Sequence, residues 1–158
     1  TKVKGVEIYM KRICIIPCGK KKIWDKHSDY GPMEAKDVYI SPFGKACQAY
    51  ATMFFENWVI LSAKHGFLRP NDIVLENYDL AFDSKSDEVI NIEQLQKQMV
   101  DKSLLQFDEI VLLAGKKHKK VVTKLYPEEM ITYPLEGCKG IGYMLQRLKE
   151  AVKEGEEI

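Results

Sequence analysis

Apolar residues in this chain gather in short unbroken runs, each stopping at a polar loop that carries glycine. Ile13-Cys14-Ile15-Ile16 runs into Pro17-Cys18-Gly19-Lys20-Lys21-Lys22, and Trp58-Val59-Ile60-Leu61 into Ser62-Ala63-Lys64-His65-Gly66. Ile110-Val111-Leu112-Leu113 runs into Ala114-Gly115-Lys116-Lys117, and Met130-Ile131-Thr132-Tyr133 into Pro134-Leu135-Glu136-Gly137. Runs without alternation belong to strands buried on both faces, as in parallel sheets. Strands are predicted near 12–17, 58–63, 109–114 and 130–134.

Between them the apolar period changes to that of a helix. Ser41-Pro42 offers an N-cap and a first helical position, and Ala46, Ala49, Tyr50, Met53 and Phe54 mark one face of a helix ending near Asn57. Ile92, Leu95, Met99, Val100 and Leu104 follow Asn91 at helical spacing. A short basic helix is predicted at about 117–125. Ile141, Met144, Leu145, Leu148 and Val152 define a last one. Strands alternating with helices predict a three-layer α/β/α sandwich with a mostly parallel four-stranded sheet and right-handed crossovers. Two connections, 19–37 and 67–90, are too long for ordinary turns, and such loops tend to be functional.

At 158 residues the chain is read as one domain, 10–153. Residues 1–9 fit the pattern poorly, Met10-Lys11-Arg12 resembles a translation start, and 1–9 is read as an extension. The charged stretch 154–158 is expected to fray. The formal net charge is only +1, so global charge announces neither a nucleic-acid nor a membrane partner. Its distribution says more: lysines at 20–22, 64, 116, 117, 119 and 120 follow predicted strands, either as a solvated rim or as an anion site. Cys14, Cys18, Cys47 and Cys138 lack C-x₂-C spacing, and no run approaches membrane-spanning length. A reduced, cytoplasmic protein is expected.

In open α/β sheets ligands bind at the carboxyl ends of the strands, so the candidate chemistry lies in those four loops. Gly19 allows close backbone approach, and its lysine neighbours suit phosphate, although the Walker frame is absent. Cys18 is either a thiolate activated by lysines or a small buried hydrophobe. Cys14 and Cys47 read as core. His65, between Lys64 and Gly66, is a candidate acid/base, while His27 and His118 sit among lysines and read as solvated. Asp79 would orient His65 or act as a base, and Tyr78 would stack on a planar ligand. The plainer reading of that pair is a capped turn over a packed ring. Gly140-x-Gly142 presents free N–H groups or merely permits close packing. Three metal ligands are conceivable in Cys18, His65 and Asp79, but the surrounding lysines favour an anion, so neither metal nor cofactor is expected.

These motifs, in order over about 13–150, resemble a family of small bacterial and phage domains of unknown function. The matching segments are Cys18-Gly19-Lys20-Lys21-Lys22, Ala35 to Ser41, Trp58 to Phe67, Asn77-Tyr78-Asp79, Leu113-Ala114-Gly115 and Tyr133 to Gly142. Asn77 stands where that family usually has proline, and His118 where tyrosine is common. Pro17-Cys18-x₃-Lys22 is also similar to the opening of the archaeosine-synthase motif, though Ile23-Trp24 follows where that motif continues differently. The predicted sheet resembles the uracil-DNA glycosylase-like fold, which implies strand order 2-1-3-4. These resemblances imply an enzyme acting on a nucleobase, nucleotide or nucleic-acid substrate. A non-catalytic nucleic-acid-binding module and a structural or partner-binding domain are the alternatives. His65, Asp79, Cys18 and Lys22 are the expected catalytic residues. Gly19, Lys20, Tyr39, Ser41, Ser62, Lys64, Gly66, Tyr78, Gly115, Glu136, Gly140 and Gly142 are expected to bind substrate.

Overall fold

A computed structural model describes residues 10–158 and two short strands before them, β1 (Lys2–Val3) and β2 (Val6–Glu7), paired antiparallel. The other residues of 1–9 (Thr1, Lys4, Gly5, Ile8 and Tyr9) lie outside the described residues, and with them the reading of that stretch as an extension. The chain continues through β3 (Arg12–Pro17), α1 (Ile23–Lys26), β4 (Met33–Glu34), α2 (Ala35–Val38), α3 (Pro42–Phe54) and β5 (Trp58–Ser62). Then come β6 (Gly66–Leu68), β7 (Ile73–Val74), α4 (Ile92–Asp101), β8 (Glu109–Leu112), α5 (Lys116–Val122), β9 (Ile131–Thr132) and α6 (Ile141–Glu154).

The central sheet runs β6-β5-β3-β8-β9. β3 lies parallel to β5 and β8, and β8 parallel to β9, whereas β6 turns back antiparallel on β5 with Ser62 opposite Gly66. The expected four-stranded sheet is therefore a five-stranded, mixed one. Gly66 is the physical reason: its φ of +72° lets the chain reverse within three residues of β5, where a loop was expected. β9 is shorter than predicted because Pro134, which lacks an N–H, follows Tyr133, whose carbonyl accepts from Glu136 in a turn.

β3 is buried on both sides. Cys14 and Ile16 pack toward Tyr50 and Ala51 of α3 and Leu148 and Ala151 of α6. Ile13 and Ile15 pack toward Leu95 and Met99 of α4 and Val122 of α5. Each isoleucine removed from water in this way contributes about 1.5–3 kcal/mol. Ser41 caps α3 by accepting from Gly44 N–H at 3.2 Å, with Pro42 as first helical residue. Asn91 and Gln94 cap α4 reciprocally, at 2.8 and 2.9 Å.

The two long connections fold onto each other. β4 and β7 pair antiparallel, and Ala35 and Lys36 N–H donate to Asp72 and Pro70 carbonyls at 2.7 and 3.0 Å. This wall stands over the carboxyl ends of β3 and β5. At the C-terminal end both Arg12 Nη atoms donate to Glu157, at 2.6 and 2.7 Å, and Ile158 N–H donates to Tyr50 Oη at 3.0 Å. The charge that suggested solvation meets a bidentate guanidinium. Among the described residues no helix is long and apolar enough to cross a membrane.

Candidate functional site

The carboxyl edge of the sheet holds two unlike regions. The first lies beyond β3 and β5. Ser62, fully buried, accepts from Lys64 N–H at 3.2 Å and His65 N–H at 3.1 Å, which fixes the β5–β6 turn. Ser62 Oγ lies 2.6 Å from Tyr78 Oη, and Tyr78 Oη in turn hydrogen-bonds Tyr39 Oη. Burial raises both phenols, Tyr78 to about 12, so both stay protonated at neutral pH. Each can then act as donor and acceptor in one continuous chain.

Lys22 packs against the same tyrosine. It is only 2% exposed, its Nζ sits 4.4 Å from the centroid of the Tyr78 ring, and it donates to Lys20 carbonyl at 2.8 Å. Burial lowers the Lys22 ammonium below its ordinary range, opposed by Cys18, Asp25 and Asp79. The backbone around it is held by Asp25, which accepts Lys22 N–H at 2.9 Å and Asn77 Nδ2 at 2.9 Å. Lys64 Nζ is 5.7 Å from the Tyr78 ring, and His65 meets that ring edge-on at 5.0 Å.

Cys18 is buried here too, and burial pushes its thiol up despite the opposing Lys22 ammonium. Of the two readings of Cys18, that direction favours the small buried hydrophobe, because desolvation outweighs the neighbouring cation. His65 is half-buried, and its pKa is lowered by burial, then by Lys64 and Lys102, so the ring is neutral near pH 7. Among the described residues no hydrogen bond joins His65 to Asp79. Asp79 instead lines a cavity of about 440 Å³ with Lys20, Asp25, Asn77 and Tyr78. Among the described residues no three of His, Cys, Asp and Glu are grouped to share an ion.

The second region lies beyond β3 and β8, and it is open. The chain leaves β3 for β5 on one side and returns to β8 on the other, so this is the point where strand order reverses. A cavity of about 460 Å³ sits there. It is lined by Pro17, Gly19 and the exposed Lys20, the start of α3 from Ser41 to Gly44, Gly115 and His118, and Ile141, Gly142 and Leu145 of α6. A Cβ on Gly115 or Gly142 would meet nothing within 4 Å, so packing does not demand these glycines and the missing side chains leave room. Gly19 differs: its φ is +72°, and a Cβ would lie 2.8 Å from Ser41 Oγ.

Several expected residues fall elsewhere. Gly66 serves the β5–β6 turn and sits against Gln98, which donates to His65 carbonyl at 2.8 Å and accepts from Phe67 N–H at 2.8 Å. Glu136 is exposed, and Gly140 precedes α6; neither lines either cavity. His118, expected in solvent, is turned inward. Its Nε2 lies 3.2 Å from Leu61 carbonyl, its ring meets Phe82 edge-on, and burial lowers its pKa. Helical side chains lean toward the N-terminus, so a residue three positions after Gly115 points back at the strand ends. That offset was the available signal. Pro42 was read only as a helix start, and Phe43, Asp25 and Asn77 carried no chemical role.

A protein of Bacillus subtilis (strain 168), "Uncharacterized protein YfjM", is 51% identical over 150 residues, covering 94% of this chain and 100% of that protein. A family model matches residues 13–150, from the first isoleucine of β3 into α6. Both regions of the carboxyl edge fall within that span, and the chain belongs to the family of unknown function DUF6884.

Proposed function

We propose that this protein is an enzyme acting on a nucleobase, nucleotide or nucleic-acid substrate at the carboxyl edge of its sheet. The observation that carries the reading is the cavity at the strand-order reversal, with apolar walls of Pro17, Pro42, Phe43, Ile141 and Leu145 and the exposed Lys20 beside them. Such walls suit a flat heterocycle, and Lys20 suits its phosphate. Lys20 also lines the neighbouring cavity with Tyr78 and Asp79, so a substrate seated in the first cavity presents its next bonds to the second.

In this reading Lys20 and Lys64 hold phosphate, and the Lys22 ammonium stabilises negative charge developing on the substrate. Asp79 and the neutral His65 are the groups able to take a proton there, and Tyr39 and Tyr78 hold one in readiness. Cys18 lies buried beside them as a thiol. We read β5-β3-β8-β9 as the 2-1-3-4 arrangement of the uracil-DNA glycosylase-like resemblance. The closeness of Cys18 and Lys22 supports the archaeosine-synthase similarity. Fold analogy gives a direction and no activity.

The test is a thermal-shift screen against nucleobases, nucleosides and nucleotides, followed by chromatography for turned-over product. A ligand at one hundred times its Kd should add about 2.7 kcal/mol to stability. Lys20→Ala should remove the advantage of nucleotides over nucleosides. Lys22→Met should abolish turnover in a folded protein. No shift from any member of the panel overturns the proposal. Binding without turnover favours the non-catalytic module.

A further inference from the structure

We infer that the substrate is presented as part of a single nucleic-acid strand, which lies in the groove between α3 and α6. This deepens the function proposed above and rests on it. The groove is a depression of about 450 Å³ lined by Pro42, Lys45, Ala46, Ala49, Leu148, Lys149, Val152 and Lys153. It meets the base-sized cavity at Pro42, a wall of both. A second shallow depression, bordered by Gly142, Leu145, Gln146, Lys149, Glu150 and Lys153, shares residues with both features along α6, with two cations to one carboxylate.

Charge identifies the occupant. Three lysines and no carboxylate line the groove, and all three are exposed. Among the described residues none of Lys20, Lys45, Lys149 and Lys153 has a carboxylate within 4.0 Å, although four other basic side chains do. Lys149 and Lys153 stand four apart on one helix, where like charges repel by a few tenths of a kcal/mol without an anion between them. The floor is apolar and of low relief, with two alanines beside Leu148 and Val152. Cations over an apolar floor match a polyanion with flat faces: phosphates to the lysines, bases to the floor. A single strand fits better than a duplex, because a stacked and paired base does not reach a cavity at the sheet edge unless it is extruded. Further along α6, Tyr143 is 65% exposed and shares a depression with Lys139, Arg147 and the carboxylate of Glu150, two cations to one anion, a surface for the next base and phosphate.

The experiment is fluorescence anisotropy of a short labelled oligothymidylate single strand. It is run at several salt concentrations and compared with the same sequence as duplex and with mononucleotide. The single strand should bind at least about tenfold tighter than the mononucleotide, with a log–log salt slope of about −2, near −0.7 per phosphate for three contacts. Lys149→Glu with Lys153→Glu should remove that gain and leave mononucleotide binding unchanged. Gly142→Leu should weaken both ligands. If mononucleotide binds but the strand gains nothing, or the gain survives the charge reversals, the groove inference is overturned and the proposed function stands. If the strand binds through the lysines but neither mononucleotide nor Gly142→Leu matters, the groove holds and the base cavity reading falls. Binding of a duplex or of polyglutamate as tight as the single strand overturns the single-strand assignment.

Discussion

The two halves of the carboxyl edge are built on opposite plans. Beyond β3 and β5, side chains interlock beside a polar cavity: Tyr39, Ser62 and Tyr78 share hydrogen bonds, and Lys22 and His65 pack on the Tyr78 ring. Beyond β3 and β8, glycines leave room. The difference teaches where reactive groups are held and where a ligand has room. Positioned protons and a polar cavity sit in the packed half, an apolar cavity of similar size sits in the open half, and Lys20 borders both. Substitutions in the packed half should therefore cost stability first. Substitutions in the open half should cost binding with little loss of stability, or even a gain.

The largest expected effect is at Tyr39, which is 1% exposed. Tyr39→Ala removes a buried aromatic ring and leaves the Tyr78 hydroxyl short of a partner, at a cost of about 3–5 kcal/mol. Tyr39→Phe keeps the ring and loses only the hydrogen bond, about 1 kcal/mol. Urea denaturation of the two variants checks this. Equal, small losses for both would mean that the packed half is not packed.

Gly19→Ala comes next. It forces a side chain into φ of +72° and places a Cβ 2.8 Å from Ser41 Oγ, the cap of α3. A loss of about 1–2 kcal/mol is expected. Adding Ser41→Gly should recover part of it by removing the clash. If the double variant is no better than the single, the clash is not the cause.

These positions also show how far the sequence could be read. β3, β5, α3, α4 and α6 were legible because continuous apolar runs, caps and helical spacing are local signals. β6 was not, because it depends on the single positive φ of Gly66, and the same residue types also make an ordinary loop. Ser62, Tyr39 and Tyr78 were picked out by type, yet nothing in their spacing announces one hydrogen-bonded chain. That chain exists because β4 pairs with β7, a contact between two segments that read as irregular. His118 was misread because its lysine neighbours are exposed while the ring itself turns inward toward the Leu61 carbonyl.

His118 gives a smaller, pH-dependent effect at the wall between the halves. Burial first, and Lys117 after it, hold its folded pKa below the ordinary value of 6.5. In the unfolded chain the ring takes its proton at the ordinary value. The stability it confers is thus full above about 6.5 and is lost as pH falls through the lower folded value. His65, depressed in the same direction, adds to the loss. His118→Gln keeps a donor for Leu61 carbonyl and cannot titrate, so its stability should fall less steeply on the acid side than the parent's. Denaturation midpoints across mildly acidic to mildly alkaline pH measure the slopes. Parallel slopes would mean that His118 is not desolvated.

The smallest effect has the opposite sign. Gly142 lies in the first turn of α6, carries no positive φ, and a Cβ there would meet nothing within 4 Å. Alanine loses less backbone entropy in a helix than glycine, so Gly142→Ala should stabilise the fold by up to about 0.5–1 kcal/mol. The added methyl also narrows the open cavity, which Gly142 lines. A protein that is firmer and binds nucleotide more weakly would separate the two halves most cleanly, since nothing in the packed half has been touched. Gly115→Ala, with an equally free Cβ in the same cavity, should weaken binding without the gain in stability, because Gly115 caps α5 rather than lying within a helix. Thermal denaturation with and without nucleotide reads both quantities in one titration. A Gly142→Ala protein that is destabilised, or that binds nucleotide as the parent does, would show that the open half is not where the ligand sits.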